Sequence, residues 1–135
     1  MKTNELMCQD WVLVGDAPYR IKEIDYDENV VRYYTPDEEE AQEGMTGLYA
    51  PVQELGRIPI TPEVLKKSDF EETVDCWFLR WCDEDVWIYE WSESIWVIRY
   101  EDTEMNTPVE QLVVAYVHEL QHALRHFGID KVVRV

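Results

Sequence analysis

The sequence is poor in cations, glycine, histidine and paired cysteine, and each shortage removes a class of function. Only 12 Lys and Arg stand against 29 Asp and Glu in 135 residues, a formal net charge of -17. Phosphate contact requires Lys and Arg to displace counterions, so direct binding of nucleic acid has no electrostatic basis. The 5 glycines build neither GxGxxG nor GxxxxGK[ST], so no phosphate-cradling loop is written here. All three histidines, His118, His122 and His126, fall close together. With no GxSxG either, a Ser or Cys nucleophile has few bases to choose from. Cys8, Cys76 and Cys82 are odd in number and lack CxxC spacing, which favours reduced thiols. No apolar run reaches the roughly 18–20 residues of a membrane span. The opening MKTNELMCQDWVLV has no long apolar h-region. A cytoplasmic protein without membrane contact is expected.

What is present is a core-forming composition. Hydrophobic residues make up 46% of the chain, too many for a disordered tail. The length suits one domain over 1–135 that folds without disulfide or metal staples. The charge is uneven. Asp25 to Glu43 holds eight acids against Arg32, a net of -7, and Ser68 to Asn106 holds twelve against Arg80 and Arg99, a net of -10. These windows carry the whole excess. They fit a basic partner surface, including mimicry of a nucleic acid, with Asp37, Glu38, Glu39, Glu40, Asp83, Glu84 and Asp85 as partner-binding residues. Divalent cation binding is a second use of such windows. The plainer alternative is a solvated coat on a structural or assembly protein that has no specific acidic-face partner.

Periodicity predicts an α+β fold. Trp11 to Val14, Tyr19 to Tyr26 and Val30 to Tyr34, joined by Gly15-Asp16 and Asp27-Glu28-Asn29, read as a small antiparallel meander compatible with an SH3-like arrangement. Strict alternation sets Ile21 and Ile24 on opposite sides. Thr61-Pro62-Glu63 starts a short helix ending near Ser68. Cys76 to Cys82, Val86 to Trp91 and Ile95 to Glu101 alternate as a three-stranded sheet. A turn at Asp83-Glu84-Asp85 sets Trp81 against Trp87 and Leu79 against Tyr89. A turn at Glu93-Ser94 sets Trp91 against Trp96. Five of the six tryptophans then share one face, as a stacking platform or, more plainly, a core face. Thr107-Pro108-Val109-Glu110 reads as a capping box. It opens a long amphipathic helix through Val109, Leu112, Val113, Tyr116, Val117, Leu120, Leu124 and Phe127, stopped by Gly128 and packed on the sheet.

One motif carries chemistry. His118-Glu119-Leu120-Gln121-His122 matches HExxH. Histidines at i and i+4 can share one Zn²⁺, with the Glu as general base, so a zinc-dependent, peptidase-like hydrolase is the enzymatic alternative: metal ligands His118 and His122, catalytic Glu119. Context opposes it. His126 lies about 12 Å along the axis from His118, and Arg125 and Gly128 break the longer HExxHxxGxxH pattern. At 100° per residue both histidines fall about 160° from the centre of the apolar stripe, away from the core and beside Gln121 and Arg125. A polar outer helix face explains them without a cofactor.

Three stretches, DWVLV with GDAPYRIKEID, RIPITPEVL and YVHELQHALRHFGID, together resemble small uncharacterised proteins of gut-bacterial phages, prophages and mobile elements. In those, comparable blocks read NWV, PIPLTPE and YVHxLQ. There the segment matching His118 to His122 also reads HQLQN, which implies that the positions of Glu119 and His122 are not reserved for metal. The resemblance implies a bacterial host cell as the setting and brings no activity with it. The expectation is a non-catalytic acidic interaction protein that engages a basic host protein, of nucleic-acid-mimic or anti-defence type.

Overall fold

Both sheets of this α+β protein are antiparallel, and each strand pairs with its predecessor except at the edge of the first sheet, where the last strand returns to pair with the first. The computed structural model describes residues 1–34, 48–82, 84–102 and 110–135, with Asp102 described by its backbone alone. Contacts group the chain into two compact units, Met1–Ile58 and Pro59–Val135, each described by itself. Among the described residues, no helix is long and apolar enough to cross a membrane.

In the first unit, β1 (Trp11–Val14) turns through Gly15 and Asp16 into β2 (Ala17–Asp25), with Val14 opposite Ala17. Gly15 takes φ +63°, the left-handed backbone that a two-residue hairpin requires and glycine adopts without strain. Then follow β3 (Val30–Tyr33), β4 (Leu48–Pro51), a 3₁₀ turn over Val52–Glu54 and the short β5 (Leu55–Gly56), giving the order β4-β3-β2-β1-β5. Val12, Ile21, Val31, Val52 and Leu55 fill the core. The register of β2 against β3 slips between Ile21 and Glu23. That bulge absorbs one residue, Lys22, so Ile24 joins Ile21 on the core side, and strict alternation through Tyr26 is corrected. Glu23 and Asp25 thereby turn outward.

The second unit opens with α1 (Pro62–Lys67). Thr61 Oγ1 accepts the Val64 N–H at 3.3 Å, Pro62 sits at the first helical position, and Ser68 closes the helix. Next come β6 (Glu71–Glu72), β7 (Trp77–Trp81), β8 (Glu84–Ser92), β9 (Ile95–Asp102) and β10 (Glu110–Val114), in the order β10-β9-β8-β7-β6, then α2 (Val117–His126). Phe127, just past α2, stacks on Tyr100 of β9 at 4.7 Å, which packs this helix end on the sheet.

The sheet corrects the expected registers. Trp81 pairs with Glu84, Leu79 with Val86 and Phe78 with Trp87, so Glu84 and Asp85 belong to β8 and not to a turn. At the next hairpin Tyr89 opposes Val97 and Glu90 opposes Trp96, and a bulge separates Glu90 from Ser92. Cys82 and Ser94 hold left-handed φ values of 56° and 61°, so these turns are tight without a glycine to announce them. A slip of an odd number of residues flips a strand's faces. Leu79, Val86, Ile88, Trp96 and Ile98 therefore share the buried face, while Phe78, Trp87 and Tyr89 lie on the other. The five-tryptophan face does not form.

The long helix is also corrected. Glu110–Val114 is an edge strand paired residue for residue with β9, from Glu110 opposite Tyr100 to Val114 opposite Trp96. Its Leu-Val-Val run suits a pleated surface, and the ladder outcompetes the helical reading. Residues 107–109 of the expected capping box lie outside the described residues.

α2 ends in a left-handed Gly128, φ +79°, with the Ile129 N–H bonded to the Leu124 carbonyl at 2.8 Å. The chain then continues without regular secondary structure and is clipped twice. Gln121, buried, donates Nε2–H to the Lys131 carbonyl at 2.9 Å and accepts the Val133 N–H at 2.7 Å. Ser68 Oγ accepts the Arg134 N–H at 2.9 Å. Ile129 and Val133 are thereby held buried. Gln121→Ala leaves a buried N–H without its acceptor. It is expected to cost about 2 kcal/mol in urea unfolding and to speed amide exchange at Val133. Unchanged stability and exchange would show that the clip holds nothing.

The Lys131 ammonium bonds Asp69 and, first through that hydrogen bond and then through its charge, holds the carboxyl below the usual carboxylate range. Because the folded pKa is lowered, the pair stabilises above the ordinary carboxylate pKa and ceases to as pH falls through the folded value. In an NMR titration Lys131→Met should raise the Asp69 midpoint. An unmoved midpoint would contradict the pairing.

Candidate functional site

The HELQH segment lies at the start of α2, and its acid belongs to the helix terminus. Glu119 Oε1 accepts the N–H of Ala115 at 3.0 Å and of Tyr116 at 3.1 Å. This carboxylate therefore satisfies two amides that a helix start otherwise leaves orphaned. His118 is only 2% exposed and stacks on Tyr116, centroids 6.0 Å apart and planes 6° apart. His122 is half-buried and meets His118 edge-on at 5.8 Å. The expectation that both face away from the core is thus corrected for His118, and Gln121 is likewise inside. With residues 110–114 in a strand, the apolar stripe recentres on Val117, Leu120, Gln121 and Leu124, which turns His118 inward. His126 is exposed, its Nε2 3.3 Å from Glu110 Oε2. Among the described residues, no group of three His, Cys, Asp or Glu is placed to hold a metal ion.

Of the acids assigned to a partner, Asp37, Glu38, Glu39, Glu40 and Asp83 lie outside the described residues. Glu84 accepts the Tyr100 hydroxyl at 3.2 Å. Asp85 is buried and accepts from Arg80 Nε at 3.0 Å. Both therefore engage their own sheet. On the outer face of that sheet a groove of about 430 Å³ runs among Asp75, Cys76, Trp87, Tyr89, Arg99 and Glu101. It carries one tryptophan where the platform reading expects several.

The first acidic window supplies the larger feature. A cleft of about 850 Å³ opens on the first unit, lined by Glu23, Asp25, Tyr26, Asp27, Glu28, Arg32 and Tyr49 together with Ile24 and Val30. Pairing across three strands builds its floor, with Glu23 opposite Arg32 and Arg32 opposite Tyr49. Arg32 lies 3.4 Å from Glu23. Asp25 Oδ1 accepts the amides of Asp27 and Glu28, both at 3.1 Å, which fixes the turn. Asp27 and Glu28 are exposed beside it. Tyr26 and Tyr49 are 61% and 64% exposed, unusually bare for aromatic rings. Asp25, Asp27 and Glu28 are legible in sequence as part of the charge window. Glu23 lies just before that window on the same strand, whereas Tyr49 is not legible, because only strand pairing brings it there. Four carboxylates and one guanidinium line the cleft together with two exposed aromatic rings, an arrangement whose chemistry can attract a cationic group.

No family model, no curated protein and no solved structure matches the chain.

Glu119→Gln and Glu119→Ala separate a capping acid from a catalytic one. The amide oxygen of Gln still accepts the two N–H groups, so Glu119→Gln should lose only a few tenths of a kcal/mol, and Glu119→Ala about 1 kcal/mol. Equal loss in both variants by urea unfolding would deny the capping role.

Proposed function

We propose that the chain is a non-catalytic acidic interaction protein that engages a basic protein partner through the cleft of the first unit. The observation that carries this reading is the pairing of exposed acids with exposed rings, Asp27 and Glu28 beside Tyr26 and Tyr49. A Lys or Arg side chain entering there meets carboxylates and a ring face together. The net charge of -17 steers such a partner in from a distance and repels polyanions. A partner that itself binds nucleic acid presents the required cations, so occupation of its phosphate-binding surface is the mode proposed. The resemblance to phage and mobile-element proteins supplies the setting, a bacterial cytoplasm in which such a protein blunts a host defence or DNA-binding factor.

The first unit is proposed to be an SH3-like small barrel. Supporting this are the strand order β4-β3-β2-β1-β5, the 3₁₀ turn between β4 and β5, and the return of β5 to pair with β1. The hydrolase reading is not carried forward, since Glu119 is committed to amides of its own helix start and His118 is buried against Tyr116.

The test uses an arginine-rich peptide titrated at low salt. Asp27→Asn with Glu28→Gln should raise Kd about tenfold, and Tyr49→Ala should raise it further. High salt should weaken the wild-type complex steeply. Glu71→Gln with Glu72→Gln removes the same charge from β6. If that control weakens binding as much as the cleft variant does, net charge alone is at work and the cleft is not the site.

A further inference from the structure

We infer that the groove on the outer face of the second sheet binds a free α-amino acid with an aromatic side chain, its carboxylate on Arg99, its ammonium on Glu101 and its ring over Trp87 and Tyr89. Register brings these side chains together. Trp87 and Arg99 are direct partners across β8 and β9. Two residues along each strand, on the same face, Tyr89 lies to one side of that pair and Glu101 to the other. Phe78 of β7 backs the indole of Trp87, with ring centroids 5.5 Å apart. Asp75 and Cys76 form the lip at the Tyr89 end. Thr73 pins that lip, since its hydroxyl donates to the Cys76 carbonyl at 2.7 Å and accepts the Cys76 N–H at 3.2 Å. Paired strands and a fixed turn thus build a space of about 430 Å³, within the range of small-molecule sites.

Charge selects the occupant, and Arg99 is the unusual member. In a chain with 29 acids, Arg32, Arg57 and Arg80 each lie against a carboxylate. Arg99 is exposed and, among the described residues, has no carboxylate against it. A guanidinium left open beside an indole takes a planar carboxylate through two parallel hydrogen bonds. Glu101 is half-buried and opposes Asp85, whose own carboxylate is taken by Arg80. Glu101 therefore keeps its charge for an ammonium. Asp75 stands at the opposite end, so acids bracket the groove and repel a phosphate or a dicarboxylate. Arg99 in turn repels a purely cationic ligand. A molecule with both charges on one carbon and a ring beyond answers the guanidinium, the carboxylate and the two aromatic faces together. The groove belongs to the second unit and does not depend on the acidic cleft of the first.

The probe is L-phenylalanine, titrated into the full chain and followed by amide NMR. It is compared with phenethylamine, which lacks the carboxylate, and phenylpropionate, which lacks the ammonium. Phenylalanine should shift the amides of Trp87, Tyr89 and Arg99. It should bind at least about tenfold more tightly than either analogue. Arg99→Gln should erase its advantage over phenethylamine, and Glu101→Gln its advantage over phenylpropionate. Asp27→Asn with Glu28→Gln should leave phenylalanine binding unchanged, so failure of the cleft is distinguishable from failure of the groove. If either analogue matches phenylalanine, one end of the head group is not read and the inference is overturned. Shifts confined to residues away from the groove would overturn it as well. So would the absence of any shift at millimolar phenylalanine, since the groove would then be closed to this ligand. The ligand comparison on the unsubstituted chain decides the matter even if a variant fails to fold.

Discussion

The carboxylate of Glu119 decides where strand stops and helix starts in the second unit. By holding the amides of Ala115 and Tyr116 it fixes the first turn of α2 at Val117. Glu110 to Val114 are then left to pair with β9. That one boundary sets the phase of the helix. Had the helix begun eight or nine residues earlier, as the capping-box pattern suggests, Leu112 and Tyr116 would lie in its apolar stripe and Gln121 would face water. With the start at Val117, Gln121 points inward and finds the backbone of residues 131 and 133. The acid of an HExxH string thus serves the chain's architecture, and the histidine before it serves the packing.

Much of the fold is readable where local chemistry is unambiguous. The Gly15-Asp16 hairpin and the Thr61-Pro62 helix start combine turn or cap residues with the right periodicity, and both form. The misread registers share a cause, a backbone irregularity on a residue that does not advertise it. Cys82 and Ser94 take the left-handed turn positions usually given to glycine or asparagine. The bulge at Lys22 and the one before Ser92 each shift alternation by one residue. In each place a correct list of strands gives the wrong faces. Burial settles the matter. The register that hides Val86, Ile88 and Ile98 wins over the one that aligns aromatic rings, because β-branched chains fill that face more completely.

The charge excess fits the same architecture. Four of the cations sit against carboxylates. Arg57 pairs with Glu5, Arg32 with Glu23, Arg80 with Asp85, and Lys131 with Asp69. The acids at turns and edges keep their excess, which concentrates unbalanced charge at the hairpin between β2 and β3. The cleft there was half legible in sequence. Its acids, from Glu23 to Glu28, are neighbours along the chain, while its second tyrosine arrives through the pairing of β4 with β3.

The division of tryptophans between environments has an optical consequence. Trp96 is buried in the sheet's packed face, whereas Trp91, beside the bulge, is 70% exposed. Trp87 lies in the groove of the opposite face. Within a single small sheet the indoles therefore emit from a dry interior, a half-covered groove and open water. Collisional quenchers reach the last first, so the two faces of the sheet can be told apart by light alone.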